Sequence, residues 1–457
     1  MTGERFLDER LERYPACTHG GNGRERYADV EAVRVLGAPH GGVQARLLEA
    51  QSRYGRPMAV TEVHLNCTRE EQLRWLQGAW QGAREAQAQG ADVRAVTAWA
   101  AFGAFEWNSL LTRREGHYES GLWDVRAPQP RPTALARLAR ALARGEAPPL
   151  SGLHSAPGWW ARAGRLLYPA LGEVHSAALP GDRPPLLIVG TGERLGALLR
   201  ELCAERGLST LTLDPQLWAR LSPADRLGLL QAAGPWGVVS LPGTRLGRGA
   251  AHLAQACAAL RLPLLCCSGA EVFGHAGPHA WSEADPVAPV DPAARGLAQT
   301  ERWVLARCPQ ALVVRGGPLF GTGAPMTARR PCWAPWARGA RPGGRETLVS
   351  PVYARDFLHE ALNLLQDGET GLWHLTHGAP ISQAEWHGQL AELLGERLPA
   401  RQPGAEPLPP PALRSGRGWP MPPLSRALAH WWASTGPELT QPCPPAPPAH
   451  WRPAPPL

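Results

Sequence analysis

The sequence predicts an α/β protein whose main element is a doubly wound parallel sheet. The first observation is a run of four apolar residues, Leu186–Val189, that leads into the glycine-rich segment 190–196 and then into an apolar helical pattern. The second is that strand-like and helix-like segments alternate from residue 186 to residue 315. Such alternation favours a parallel sheet that is covered by helices on both faces.

The glycine-rich segment has the spacing G-x-G-x-x-x-G and predicts a nucleotide-binding turn. Gly190 permits the tight turn, Gly192 lets a pyrophosphate approach the backbone, and Gly196 lets the helix lie close to the strand. The N-terminus of that helix supplies free N–H groups to an anion. Some turns of this kind bind nothing, so the retained fold and the retained cofactor are separate predictions. The residues predicted to bind the cofactor here are Gly190, Thr191, Gly192, Arg194, Leu195 and Gly196.

The later strands add three residues to this predicted cofactor site. Strands are predicted at 186–190, 209–213, 237–241, 262–267 and 311–315, and helices at 195–206, 223–233, 249–260 and 293–306. Asp214 ends the second strand, where a carboxylate would hold an adenosine ribose. Its alternative role is to cap the turn at Pro215. Ser240 and Leu241 end the third strand at the same edge of the sheet.

Composition limits the classes of function. The chain has 457 residues, which predicts two or three domains. Its formal net charge is +7 and all 47 basic residues are arginine, but 40 acidic residues are interleaved with them, which argues against nucleic-acid binding. No apolar run reaches about 18 residues, so no membrane span is expected. The charged N-terminus lacks a signal core, and we expect a cytoplasmic protein.

The nine cysteines are scattered without a CxxC pair, which predicts neither a metal site nor a disulfide framework. Their odd number is consistent with a reducing compartment.

The N-terminal third predicts a second α/β unit. Segments 58–65 and 93–102 have the pattern of buried strands. Between them, Thr68 and Glu71 form the pattern of a capping box that starts a helix ending near Gly90. Strand, helix and strand in this order predict parallel pairing. The polar cluster 106–109 follows the second strand, at the edge where a (β/α)-barrel carries its chemistry.

The stretches VTEVHLNCTREEQ and VRAVTAWAAFGAFEWNSLL resemble the closing part of family 1 glycoside hydrolases, over about residues 5–145. The resemblance places Glu62 at the nucleophile position and 105–107 at a sugar-binding segment. A full barrel needs about 200–250 residues, and the family's acid/base glutamate lies upstream of this part. Retaining hydrolysis needs two carboxyl groups about 5–5.5 Å apart, so we expect no glycosidase activity. A partial barrel exposes sheet edges, which predicts a loosely ordered segment or pairing with another chain.

A second resemblance covers about residues 186–430. The motifs CCSGAEVFGH, SEADPVAPVDPAARGLAQTERWVLARCPQALVVRGGPLFG, LVSPVYARDFLHEALNLL and GLWHLTHG follow the order of the dTDP-4-dehydrorhamnose reductase family of extended short-chain dehydrogenases, the RmlD-like proteins. The resemblance implies NAD(P)H on the sheet and a sugar nucleotide in a small C-terminal domain. It makes Phe273 and Arg315 candidate substrate-binding residues. Arg315 would contact a phosphate or, equally, form a salt bridge under the sheet edge.

The catalytic positions of that family are altered here. Its tyrosine and lysine, spaced Tyr-x-x-x-Lys, correspond to Ala293 and Leu297, and the chain contains no lysine. Its catalytic hydroxyl position corresponds to Gly269, which leaves Ser268 beside it as a weak candidate. The segment after Ser240 is also shorter than in the family. General acid catalysis contributes roughly 10²–10⁴ in rate, so these changes predict a retained fold with lost reductase chemistry.

The predicted organisation is therefore a Rossmann-like doubly wound sheet with a small C-terminal substrate domain, preceded by a partial (β/α)-barrel fragment. The predicted boundaries are 1–150 for the fragment, 151–185 for a linker, 186–330 for the NAD(P)-binding domain, 331–430 for the substrate-binding lid and 431–457 for a Pro-rich disordered tail.

Three functions stay open at this point. The first is a binder of a dinucleotide or nucleotide-sugar without turnover. The second is an active reductase that uses another donor, for instance Ser268 or His275. The third is an interaction protein or a decaying gene product. The sequence does not indicate an oligomeric state.

Overall fold

A computed structural model describes residues 5–9, 11, 19–21, 23–31, 42–109, 111–114, 116–148, 153, 158, 184–190, 194–242, 247–274, 277–321, 347–394 and 411–439. Within this part of the chain, no helix is both long and apolar enough to cross a membrane.

The centre of the molecule is a six-stranded sheet in which every pairing is parallel. Its strands are β10 (Leu186–Val189), β11 (Thr210–Leu213), β12 (Gly237–Ser240), β13 (Leu264–Gly269), β15 (Leu312–Gly316) and β19 (Gly371–Leu375). Their spatial order is β11-β10-β12-β13-β15-β19. The predicted doubly wound α/β fold is confirmed, and all five predicted strands lie in this sheet.

Helices connect these strands on both faces of the sheet. They are α4 (Leu195–Glu205), α5 (Pro215–Arg220), α6 (Pro223–Ala233), α7 (Gly249–Leu260), α8 (Pro292–Arg307) and α9 (Ala354–Gln366). Successive strand residues face opposite sides, so Leu186 and Ile188 pack in one apolar cluster, while Leu187 and Val189 pack in another. The core therefore lies in two layers, one on each face of the sheet.

The sixth strand corrects a predicted domain boundary. The sequence analysis assigned residues 331–430 to a separate lid, but α9 and β19 belong to the central sheet. The physical reason is that the apolar run Gly371–Leu375 follows an amphipathic helix, and so adds one more parallel strand beside β15. The central sheet therefore extends beyond the predicted boundary at residue 330.

Smaller elements form the rest of the C-terminal part. They are β14 (Ala280–Trp281), β16 (Leu319–Phe320), β17 (Leu348–Val349), β18 (Val352–Tyr353), β20 (Ile381–Ser382), β21 (Ala412–Leu413), α10 (Gln383–Leu394) and α11 (Leu424–Leu439). Phe320, Tyr353, Trp386 and Trp431 form a separate aromatic cluster with its own apolar neighbours. Helix α11 crosses residue 431, where the Pro-rich tail was predicted to begin, and residues 440–457 lie outside the described part.

The N-terminal part contains one parallel strand–helix–strand unit and several short pairs. Its elements are β1 (Arg5–Asp8), β2 (His19–Gly21), β3 (Arg26–Glu31), α1 (Gly42–Tyr54), β4 (Met58–Val63), α2 (Arg69–Ala88), β5 (Val93–Ala98), β6 (Ala104–Phe105), β7 (Tyr118–Glu119), β8 (Trp123–Asp124), β9 (Arg131–Pro132) and α3 (Ala134–Arg144). Strand β4 pairs with β5 in parallel, as predicted. Both were expected to be buried, but most of their residues are exposed or half-buried. In the described part of the chain this is a two-stranded sheet without the further strands of a barrel.

The predicted capping box at the start of α2 is wrong for the threonine side chain. Thr68 occupies the N-cap position, but its side chain makes no capping hydrogen bond. Glu71 forms an ion pair with Arg74 at 2.7 Å. The helix nevertheless begins where the sequence placed it.

The N-terminal part is packed against the central sheet's helices. Leu73 and Leu76 of α2 and Leu135 and Leu138 of α3 belong to the same apolar cluster as residues of α4 and α9. The expectation of loose order or pairing with another chain concerns the sheet edges of β4 and β5 and stays a prediction, whereas α2 and α3 are packed. Their apolar faces are covered by this same chain, because helix α9 turns its outer side toward them.

Buried ion pairs reinforce this contact. Glu70 on α2 and Arg206, which follows α4, approach to 2.6 Å with both side chains almost fully buried. Asp367, at the end of α9, lies 2.9 Å from Arg69 and 2.8 Å from Arg131. Burial opposes the ionisation of Glu70, but the Arg206 guanidinium holds its pKa at about 2. The charges are therefore retained inside the interface.

Candidate functional site

The crevice at the carboxyl ends of β10 and β12 is the switch point of the sheet. Strand β11 lies on one side of β10 and β12 on the other, so the connections leave in opposite directions and open a crevice there. Gly190 follows β10 with φ of +104°, a value that L side chains rarely adopt. Ser240 and Leu241 end β12 and are buried. These residues give the predicted cofactor site its floor.

The glycine-rich turn is described in part. Thr191 and Gly192 lie outside the described residues. Arg194 is exposed and immediately precedes α4, while Leu195 and Gly196 are buried. A Cβ atom at Gly196 would lie 3.4 Å from Leu241 Cδ1 and 3.7 Å from the Gly190 carbonyl oxygen. The helix thus lies close to the strand ends at Gly196, as the glycine spacing predicts.

Asp214 takes the second of its two predicted roles. It is the N-cap residue of α5, and its Oδ1 atom accepts a hydrogen bond from the Gln216 N–H at 2.8 Å. Pro215 occupies the first helical position. The carboxylate is exposed at the end of β11. The Asp214 carboxylate therefore stabilises the N-terminus of α5. This role does not exclude a ribose contact.

The end of β13 holds an unusual pair of side chains. Ser268 is buried, and its hydroxyl has no hydrogen-bond partner among the described residues. At Gly269, a Cβ atom would lie only 2.0 Å from Glu271 Oε2, so the Glu271 carboxyl occupies the space of a side chain at that position. Burial raises the pKa of Glu271. Sequence reasoning missed this residue, although an acidic residue directly after a strand, at the carboxyl edge, was a visible signal.

Helix α8 presents no proton donor at the two altered positions. Ala293 is exposed in its first turn, and Leu297 lies one turn later on the same side of the helix. Leu297 packs against the apolar cluster that contains Phe273 and Ala298. Asp291 caps the helix by accepting a hydrogen bond from the Ala294 N–H. The surroundings of Leu297 are therefore those of a core residue.

Both predicted substrate-binding residues are buried, and their role in substrate binding stays a prediction. Arg315 is 2% exposed and forms two hydrogen bonds with Glu301, at 2.9 and 2.6 Å. Its guanidinium also lies 4.9 Å from the centre of the Phe273 ring, which stacks on Trp281. The salt-bridge alternative for Arg315 is the one realised. Phe273 is likewise a core side chain.

The remaining candidates do not join this crevice. Glu62 lies in β4 and is exposed, with φ of +57°. His275 lies outside the described residues. Among the side chains that the structure describes, no group of three or more histidine, cysteine, aspartate or glutamate residues is arranged to hold a metal ion. Its described cysteines are free thiols.

The sheet order and the glycine turn define an α/β protein of the nucleotide-binding type. Within it, residues 247–329 match the family model described as the RmlD substrate binding domain. This match confirms the second resemblance for that part of the chain.

Known dTDP-4-dehydrorhamnose reductases are similar to a larger share of the chain. A dTDP-4-dehydrorhamnose reductase of Mycobacterium tuberculosis is 27% identical over 299 residues, which cover 58% of this chain and 95% of that protein. Two solved reductases are more distant. The one from Clostridium acetobutylicum is 16% identical with a TM-score of 0.45, and covers 55% of this chain and 99% of its own. The one from Bacillus anthracis, solved in complex with NADP, is 17% identical with a TM-score of 0.44, and covers 55% and 98%.

The N-terminal part carries the first resemblance, to family 1 glycoside hydrolases. That resemblance stays a prediction.

Proposed function

We propose that residues 186–430 bind a dinucleotide such as NAD(P)H, or a nucleotide-sugar, and do not reduce a sugar ketone. The support for binding is the crevice at Gly190, Gly196 and Ser240, together with the family match. The support for lost chemistry is one observation on α8: Ala293 carries no acidic group and Leu297 packs among apolar side chains. A ketone reduction needs a positioned proton donor.

An active reductase is the alternative, and Glu271 is the observation that favours it. A carboxyl with a raised pKa at the end of β13 is a possible acid in place of the missing tyrosine. In this alternative the Glu271 carboxyl would donate its proton to the alkoxide that hydride transfer creates. The alternative predicts turnover that is lost in Glu271→Gln.

Calorimetric titration with NADH, NADPH and dTDP tests the proposal. We expect binding of a dinucleotide to the wild-type protein and at least about tenfold weaker binding to Gly190→Ala, a change of about 1.4 kcal/mol or more. The reason is that a Cβ atom at φ of +104° forces the strand-to-helix turn to shift.

Gly234→Ala is the matched control. Gly234 also has a positive φ, +52°, but it ends α6 and a Cβ atom there meets nothing within 4 Å. Both variants carry backbone strain, and only Gly190→Ala alters the crevice. Equal affinity in the two variants, or no binding to the wild-type protein at millimolar ligand, would contradict the proposal.

A further inference from the structure

A cavity of about 290 Å³ lies between the N-terminal part and the outer side of α9. It includes none of the crevice residues Gly190, Ser240 or Ser268. Its walls come from the start of α2, from the β6–β7 pair, from α9 and from the segment before and within α11. This volume is close to the lower end of the range for small-molecule pockets, about 300 Å³.

Helix α9 supplies one polar wall of this cavity. Asp356, His359, Glu360 and Asn363 line it, with the spacing of a single helix face. One Asp356 oxygen, Oδ2, is buried and has no hydrogen-bond partner in the part of the chain that the structure describes. Buried polar atoms normally have partners, and an orphan acceptor is costly. The wall therefore carries an acceptor that this chain leaves unsatisfied.

The opposite wall carries a cation. Arg426 of α11 lines the cavity, and its Nη2 lies 3.0 Å from His117 Nδ1. His117 in turn lies 2.9 Å from the Asn66 side chain through Nε2. Within the described part of the chain, no ion pair of 4.0 Å or less joins Arg426 to Asp356. One carboxyl and one guanidinium thus face the same space without neutralising each other directly.

The other charges around the cavity are already balanced. Arg69 pairs with Asp367, and Arg126 pairs with Asp124 and with Glu360. Burial lowers the pKa of His359 to about 3, so this imidazole is neutral. Burial, with Arg426 nearby, also lowers the pKa of His430. The two charges left for a ligand are those of Asp356 and Arg426.

Ligands with a single charge, and uncharged ligands, match Asp356 and Arg426 less well than a ligand with both charges. A lone cation would face the Arg426 guanidinium, and a lone anion would face Asp356. A ligand with both charges satisfies both walls, since charge-assisted hydrogen bonds are the strongest available to each group. At the mouth, Phe105 is 47% and Trp419 is 50% exposed, and both line the cavity. Their rings offer an apolar surface to the rest of the ligand.

We propose that this cavity binds a small free zwitterion of the α-amino acid class, with its ammonium group at Asp356 and its carboxylate at Arg426. An apolar side chain would then lie against Phe105 and Trp419. The site is separate from the nucleotide crevice and does not depend on the function proposed there.

The protonation of Asp356 gives the proposal a distinctive signature. Burial raises the pKa of Asp356 to about 7, although the nearby Arg426 and Arg355 guanidinium groups oppose the shift and the Glu360 carboxyl adds to it. Near pH 7 the carboxyl is therefore about half protonated. An arriving ammonium group favours the ionised form. Binding should release roughly half a proton at that pH, from linkage between the two equilibria.

The test is calorimetric titration of the full-length protein with L-leucine, in buffers of different ionisation enthalpy. Two probes each remove one charge: 3-methylbutylamine lacks the carboxylate, and 4-methylpentanoate lacks the ammonium group. D-glucose is the uncharged polar probe. We expect leucine to bind with proton release, and each single-charge probe to bind at least about tenfold more weakly, a difference of about 1.4 kcal/mol.

Two variants test which protein side chain binds which charged group of the ligand. Asp356→Asn should weaken leucine and 3-methylbutylamine, remove the proton release, and leave 4-methylpentanoate bound at least as tightly, because the carboxyl that faces a lone anion is gone. Arg426→Gln should weaken leucine and 4-methylpentanoate, and should leave 3-methylbutylamine bound at least as tightly. Matched controls are Glu385→Gln and Arg302→Gln, which change exposed charges on α10 and α8 away from the cavity. Thermal unfolding of each variant checks the fold.

The outcomes separate this proposal from the nucleotide site. Leucine binding that is unaffected by saturating NADH and lost in Asp356→Asn supports it. Three results overturn it: no heat with leucine in a folded wild-type protein, binding of D-glucose without leucine, or leucine binding that Asp356→Asn leaves intact. Loss of NADH binding with retained leucine binding would count against the nucleotide proposal alone.

Discussion

At the level of single residues, the end of β13 places a serine hydroxyl without a hydrogen-bond partner next to a shielded glutamate carboxyl. Neither environment is visible in the sequence, because burial and partners depend on what α8 and the neighbouring strands place there. Two roles each were predicted for Asp214 and Arg315, and the structure shows the structural one of each: a helix cap for Asp214 and a salt bridge for Arg315. Local polar residues have many partners within reach, and only tertiary packing selects among them.

Ser268 leads to a prediction about stability. Its hydroxyl is desolvated without a compensating hydrogen bond, so Ser268→Ala should change the free energy of unfolding by less than about 0.5 kcal/mol or raise it. The matched control is Ser350→Ala. The Ser350 hydroxyl donates to the Leu413 carbonyl oxygen at 2.9 Å and accepts from the Leu413 N–H at 3.0 Å.

Removing the Ser350 hydroxyl leaves both Leu413 groups unpaired in a buried place, and should cost about 1–3 kcal/mol. Urea unfolding curves of the two variants measure the difference. A larger loss from Ser268→Ala than from Ser350→Ala would show that the Ser268 hydroxyl has a partner in solution.

At the level of elements, apolar periodicity predicted the strands and helices well, since side-chain spacing along each element is set by backbone geometry. Five of the six strands of the central sheet, and the helices between them, follow from it. The place of β19 in the same sheet does not follow from apolar periodicity, because the tertiary fold determines which strands pair. The exposed faces of β4 and β5 have the same origin: apolar strands predict burial, but no further strand pairs with this sheet in the described part of the chain.

The contact between α2 and α4 gives a prediction at this level. Glu70→Ala should lower the free energy of unfolding by about 3–5 kcal/mol, because it leaves the buried Arg206 guanidinium without its carboxylate. Replacing both partners, Glu70→Leu with Arg206→Met, should cost less than Glu70→Ala alone. Denaturant titration measures all three proteins.

Glu49→Ala is the control for this prediction. Glu49 also pairs with arginines, Arg46 and Arg53, but all three side chains are largely exposed on α1. Such pairs contribute about 0–1 kcal/mol. If Glu70→Ala were no more destabilising than Glu49→Ala, the N-terminal part would not be held on the sheet as the structure describes.

At the level of the whole molecule, the N-terminal part and the central sheet share one apolar cluster and a set of buried ion pairs. The sequence did not predict this union, because Arg69, Glu70 and Arg206 have the composition of a solvent-exposed surface. A charged residue can be predicted to be buried only when its ion-pair partner is known, and the partners here are more than a hundred residues apart in the sequence. The nucleotide-type crevice, in contrast, was predictable, since a strand, a glycine turn and a helix are consecutive in the chain.

The central claim is that a nucleotide-binding fold is retained without its reductase chemistry, and one measurement tests it most directly. It is the rate of NAD(P)H oxidation by the wild-type protein with dTDP-4-dehydrorhamnose, followed by absorbance. We predict a rate at background, because Ala293 and Leu297 supply neither a proton donor nor a cation, and unpositioned water forfeits most of the roughly 10²–10⁴ that general acid catalysis contributes. Oxidation well above background, lost in Glu271→Gln, would contradict the claim and identify Glu271 as the donor.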